Sequence, residues 1–302
     1  MGRIVIAGGT GFLGRVLTRA LELTGHEVVV FSRKTHTRIK TKVTVWNGLA
    51  VPDLANEIDG SDAVINLSGQ SISVPWTEAN KKLILDSRVN STRAIGEAIA
   101  KCASPPKVWI NASATGIYGD RENEPLDESK RIGVGFLPSV CSAWEEATKA
   151  IKLPATRCVQ LRTGVVLGRG GGAFESLLKV TRDYLGGPVG SGEQWMPWIH
   201  IFDWVCLVQW LLETDISGPV NAVAPQAIKN ADLMKALRKA THRPWAPRVP
   251  KFALNLASKL GGPDPSLLLD SARVVPKVAL DHGFKFQFSK IDEAVVDLLH
   301  PV

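Results

Sequence analysis

The chain has 302 residues, 45% of them apolar and 22% charged, with a formal net charge of +7 and a mean hydropathy of +0.05. This composition lies outside the low-hydrophobicity regime of disorder, and the length allows one large α/β domain or two smaller ones of about 100–200 residues. No apolar run approaches the roughly 18 residues that a spanning helix needs, so no membrane partner is expected.

In chain order, short β-branched runs at residues 3–7, 27–32, 43–46, 63–67, 107–112 and 158–162 alternate with helical spacing at 13–24 and 84–101. Strands alternating with helices predict parallel βαβ units whose sheet is covered on both faces. The expected fold class is α/β, a doubly wound parallel sheet with ligands at the carboxyl ends of its strands. After residue 165 the texture changes. Glycines crowd 168–172 and 186–192, and Trp195, Trp198, Trp204 and Trp210 follow, so irregular backbone giving way to an aromatic wall is expected. Residues 219–224 read as one more strand. From 230 onward helical stretches alternate with prolines.

The four cysteines, Cys102, Cys141, Cys158 and Cys206, have neither C-x-x-C spacing nor histidine partners, so no metal is expected. Scattered free thiols, and a first strand with no leader ahead of it, give the expectation of a cytoplasmic protein.

Gly8-Gly9-Thr10-Gly11-Phe12-Leu13-Gly14 follows the first strand and opens the first helix. Glycines at 8, 11 and 14 allow a tight turn, a close approach of backbone to a pyrophosphate, and close packing of helix on strand. The unpaired N–H groups at the helix start then bind the anion. Gly8, Thr10, Gly11, Phe12, Leu13 and Gly14 are therefore candidate cofactor contacts. The second strand ends in Phe31-Ser32-Arg33-Lys34, with no Asp or Glu to accept from a ribose 2′-OH. Ser32 and Arg33, with Lys34, supply a hydroxyl and cations to a 2′-phosphate instead, so the expected cofactor is NADP. That role absorbs the basic cluster of Arg33, Lys34, Arg38, Lys40 and Lys42, and nucleic acid is not expected as a partner.

These motifs do not stand alone. Asn66-Leu67-Ser68-Gly69, Arg88-Val89-Asn90-Ser91-Thr92, Ser113-Ala114-Thr115-Gly116-Ile117-Tyr118-Gly119 and Leu161-Arg162-Thr163-Gly164 follow. Together the set resembles the extended short-chain dehydrogenase/reductase superfamily. Gly186-Gly187-Pro188-Val189-Gly190, Pro197-Trp198-Ile199-His200 and Val275-Pro276 resemble, more narrowly, its epimerase-like atypical branch with a short C-terminal domain. The resemblance implies an NADP-binding Rossmann domain over 1–165, joined by the strand near 219–224, and a mixed substrate-binding lobe and C-terminal domain over 166–302. It implies that Leu67, Ser68, Gly69 and Gln70 line the cofactor and that Arg88 reaches the phosphates or the pocket. Asn90 would be structural, and Arg162 to Val165 would pass under the nicotinamide. Dimers are common among such proteins, so a homodimer is an expected assembly.

The same superfamily uses a Tyr acid/base with a Lys four residues on. On the helix expected over about 135–150, either Phe136 with Val140 or Leu137 with Cys141 fills those places. Ser113, or Thr115, remains to orient a carbonyl; Tyr118 and His200 remain as proton donors. Ahead of these roles stand a packing role for Tyr118, with its hydroxyl hydrogen-bonded, and for His200 that of anchoring a loop before a helix capped by Asp203. Two functions follow: an NADP(H)-dependent oxidoreductase or epimerase with a non-standard acid/base acting on a small molecule, or a non-catalytic NADP(H)-binding regulatory or redox-sensing protein.

Overall fold

The computed structural model describes residues 2–34, 41–49 and 53–300; Arg38 and Lys40 of the basic cluster lie outside them. Arg3–Ala7 (β1), Glu27–Ser32 (β2), Lys42–Val45 (β3), Ala63–Asn66 (β4), Val108–Ala114 (β5), Arg157–Thr163 (β6) and Gly218–Ala222 (β7) pair in parallel. Their order across the sheet is β7-β6-β5-β4-β1-β2-β3. The chain runs outward through β2 and β3, then returns to the other side of β1 as β4. A crevice therefore opens at the carboxyl ends of β1 and β4, the place where such sheets bind ligands.

Both faces are apolar, because a parallel sheet is buried on both sides. Ile4, Ile6, Val28, Val30, Ile65 and Ile110 face helices α1 (Phe12–Leu23) and α6 (Ile201–Glu213). Val5, Val29, Phe31, Val64 and Trp109 face α2 (Leu54–Ile58) and α3 (Glu78–Ile99). Alongside α3 lies α4 (Phe136–Lys149), locked by the Trp144 indole N–H, which donates to Thr92 Oγ1 at 2.9 Å.

The glycine-rich stretch expected to stay irregular instead runs straight into α5 (Gly172–Arg182). Phe174, Leu178 and Thr181 recur at helical spacing and are buried there. With α7 (Asn230–Ala240) and the C-terminal helix Ile291–Leu299, α5 encloses a second core around Trp198, Leu233, Leu237 and Val295. This lobe is tied back to the sheet by Val165–Leu167 pairing in parallel with Trp198–His200. Because β7 comes from residues 218–222, sheet and lobe interleave along the chain.

Helix α6 begins differently from expectation. Its cap is His200, whose Nδ1 accepts from the Phe202 N–H at 3.1 Å. Asp203 lies one turn in, fully buried, and its carboxylate accepts from the N–H groups of Gln287 and Phe288, each at 2.8 Å. It pins the C-terminal segment to α6 rather than capping the helix. Among the described residues no helix is long and apolar enough to cross a membrane.

Candidate functional site

A cleft of about 810 Å³ follows the crevice from the turn after β1 to the end of β2. The turn is shaped by glycine: Gly8 has φ +77°, and a Cβ on Gly14 would lie 2.5 Å from the Gly8 carbonyl oxygen. Helix α1 can start against this turn only without that carbon. Its N-cap, Gly11, has no side chain to cap the first turn, so backbone donors are left for an anion in the cleft. Gly8, Thr10 and Gly11 line the cleft. The side chains of Phe12 and Leu13 turn away from it, Phe12 to fill the space above Gly171 and Gly172 and Leu13 to pack on the core, and Gly14 serves close packing, so what Phe12, Leu13 and Gly14 can offer the cleft is their backbone N–H groups.

At the far end, Ser32, Arg33 and Lys34 line the cleft, with Ser32 Oγ 3.1 Å from Thr10 Oγ1. No acid stands beside them on β2 or its end. Across the crevice Leu67, Ser68, Gly69 and Gln70 form the other wall, the Gln70 N–H donating to Ser87 Oγ at 2.9 Å. Asn90, expected to be structural, also lies on this wall. Trp46, Asn47, Gly48 and Leu49, which no sequence motif signals, close the cleft beyond β3. Trp46 packs edge-on to Phe31 and donates from Nε1 to the Leu49 carbonyl at 2.7 Å.

A smaller cavity of about 220 Å³ lies beyond the glycine turn, between α4, the end of β6 and the C-terminal segment. Leu137, Val140 and Cys141 of α4 face it, whereas Phe136 packs on Trp76 at 4.8 Å. Of the two candidate pairs, Leu137 with Cys141 is the one whose members both line the cavity. Burial pushes the Cys141 thiol up to about 12, so it is neither an acid nor a nucleophile at neutral pH. Val165 lines this cavity with Thr163, Gly164 and Thr115. So does Arg88, which is absent from the walls of the larger cleft. Asp270, at the exposed mouth, is a carboxyl that nothing local in the sequence could have nominated; burial, then Asp120 and Asp264, raise its pKa.

The three candidate catalytic residues lie outside both spaces, which corrects their expected exposure to a substrate. Ser113, Tyr118 and Arg162 belong to one buried network. Arg162 donates to both oxygens of Glu145, at 2.8 and 2.9 Å, and through Nη1 to Tyr118 Oη at 3.0 Å. Ser113 Oγ donates to Glu145 Oε1 at 2.8 Å, and the Tyr118 hydroxyl donates to Asn221 Oδ1 at 2.8 Å. Burial pushes the phenol up to about 12 against the pull of Arg162. The Arg162 side chain therefore lines neither space. Burial alone would lower its pKa, but the bonds to Glu145 raise it, and its charge is spent inside the fold.

His200 is equally withdrawn, at 2% exposure. Burial lowers its pKa from 6.5 to about 4, with Asp297, 3.3 Å from Nε2, opposing. Between these values the folded state binds fewer protons than the unfolded chain, so this contribution to stability is complete above pH 6.5 and lost as pH falls toward 4. The loss amounts to up to about 3 kcal/mol. His200→Asn, which keeps a capping acceptor, is expected to flatten the pH dependence of urea unfolding across that window. An unchanged slope would show that the imidazole titrates normally.

Comparison with known proteins agrees with this layout. Residues 4–223 match the model of the NAD dependent epimerase/dehydratase family, and residues 249–298 match a domain of unknown function, DUF1731. The epimerase family protein YfhF of Bacillus subtilis (strain 168) is 36% identical over 302 residues, covering 98% of this chain and 97% of that protein. The crystal structure of human epimerase family protein SDR39U1 (isoform2) with NADPH has a TM-score of 0.89 at 32% identity, covering 99% of this chain and 100% of that one. A nucleoside-diphosphate sugar epimerase from Corynebacterium glutamicum has a TM-score of 0.81 at 31% identity, covering 99% of this chain and 58% of that one.

Proposed function

Because the chain belongs to the NAD dependent epimerase/dehydratase family, we propose that it binds NADP(H) and acts as an oxidoreductase or epimerase on a small molecule, without a Tyr-Lys acid/base. The observation that carries the reading is the end of β2, where Ser32, Arg33 and Lys34 line the large cleft and the strand ends without an Asp or Glu; the one carboxylate among the cleft's lining residues, Asp86, comes from α3. The human relative crystallised with NADPH supports the same preference. The open N–H groups at the start of α1 would hold the pyrophosphate, and Leu67 to Gln70 the adjoining ribose. When bound, the cofactor supplies a nicotinamide that accepts or donates hydride.

The chain's own contribution lies in the smaller cavity. Leu137, Val140, Trp144 and Trp195 line it with apolar surface, the Thr115 hydroxyl is available to orient a carbonyl, and Asp270 stands at its mouth as a carboxylate able to take up a proton. A second reading, a non-catalytic NADP(H)-binding regulatory or redox-sensing protein, is favoured by Leu137 and Cys141 standing where a proton relay would be needed. Titration with NADPH and NADH, followed by tryptophan fluorescence, is expected to show tighter binding of NADPH; a preference for NADH would overturn the cofactor assignment. A metabolite screen for NADPH oxidation separates the two functions. Turnover that falls on Asp270→Asn supports the enzyme, and failure of every compound supports the sensor.

A further inference from the structure

Two arginines lie beside the crevice, Arg162 buried and Arg88 part-buried, and the fold treats them differently. Arg162 meets the two oxygens of the Glu145 carboxylate with its Nε and Nη2. Arg88 is not. Its Nη1 donates to the carbonyls of Gln70 and Ile84, each at 3.0 Å, and among the described residues no carboxylate pairs with it. The Nε and Nη2 groups have no protein acceptor there. A guanidinium stays charged at any working pH, and holding it part-buried without a counter-ion is unfavourable. Two neutral carbonyls offset part of that.

The group is also held flat and aimed. Its centre lies 5.0 Å from the Trp144 ring. A Cβ at Gly69 would meet Arg88 Cζ at 3.2 Å, tighter than ordinary contact, so glycine there lets the planar group lie close against the turn after β4 without shifting. Trp144 is itself fixed by its bond to Thr92. The guanidinium thus packs against a fixed ring and a bare backbone, on the wall of the smaller cavity.

Resting on the NADP(H) reading above, we propose that the smaller cavity selects a small monocarboxylate, bound through the free edge of the Arg88 guanidinium. Arg fits the two oxygens of a carboxylate with paired hydrogen bonds. The volume of about 220 Å³ falls below the roughly 300–1,000 Å³ that holds drug-sized ligands. Leu137, Val140, Trp195 and Met196 give the remainder of the molecule an apolar enclosure. Asp270 at the mouth opposes a second negative charge, which disfavours a dicarboxylate.

The test uses the full chain saturated with NADP and titrated with a series of 2-oxo acids from pyruvate to 2-oxohexanoate, with their methyl esters and with 2-oxoglutarate, followed by tryptophan fluorescence. At least one monocarboxylate is expected to bind about 10-fold or more tightly than its ester and than 2-oxoglutarate, and Arg88→Met to remove about 10- to 100-fold of that affinity. NADPH affinity of the variant should stay within about 2-fold, and Arg88→Lys should recover part of the acid binding. Esters binding as well as acids, or no acid binding at all, would overturn the assignment. So would an equal loss of NADPH, which would give Arg88 to the pyrophosphate. If wild type binds no NADPH, the cofactor reading fails separately, and the acid-against-ester comparison on the same protein still decides this one.

Discussion

Glu145→Ala is expected to lower the free energy of unfolding by about 3–5 kcal/mol, because it leaves a buried charge without its partner. The ion pair is 3% exposed on the Glu145 side and 7% on the Arg162 side, so solvent cannot replace the lost carboxylate. Ser113 Oγ loses its acceptor as well, and Arg162 keeps only Tyr118 and the Glu128 carbonyl. The cavity left by the side chain adds to the loss. Glu145→Gln retains an acceptor and should fall between wild type and alanine. Urea denaturation at neutral pH reads the difference; a loss below about 1 kcal/mol would mean that the pair behaves as a surface salt bridge. Because the network joins β5, α4, β6 and β7, its disruption is expected to reach cofactor binding only through unfolding.

Arg33→Asp is expected to weaken NADPH by about 30- to 1,000-fold, equal to about 2–4 kcal/mol, while NADH changes by less than about 3-fold. Two effects add: a charge-assisted hydrogen bond to the 2′-phosphate is lost, and an aspartate repels it. The same aspartate would accept from the 2′-OH of NADH and offset the loss of arginine there. Arg33 is exposed, so the effect is screened and the titrations must be compared at one ionic strength. Equal weakening of both cofactors would remove the 2′-phosphate role and with it the basis for preferring NADP.

The legible part of this protein is the part encoded by neighbours in the chain. Six β-branched runs became six of the seven sheet strands, since a strand buried on both faces needs a continuous apolar run. The seventh, near 219–224, was legible for the same reason, although it lies beyond the glycine-rich stretch. Helix α5 was hidden because glycines around its start masked the spacing of Phe174, Leu178 and Thr181.

The glycine turn and the residues ending β2 follow from consecutive side chains and backbone angles, so neighbours in the chain were enough to locate the proposed dinucleotide cleft and to point to NADP. The chemistry beyond it was decided by tertiary structure. Arg162 meets Glu145 across 17 residues and Tyr118 across 44, and Tyr118 meets Asn221 across 103. Nothing local announces such pairings, yet they bury Ser113 and Tyr118 away from any substrate. Arg88 is the converse case: its sequence neighbourhood looks like an ordinary helix, and only the packing of Trp144 and Gly69 around it leaves a cation with no counter-ion among the described residues. Whether a charge is spent within the fold or left for a ligand depends on what distant segments bring to it. Burial makes that difference large, because a low-dielectric surround magnifies both a satisfied pair and an unsatisfied one.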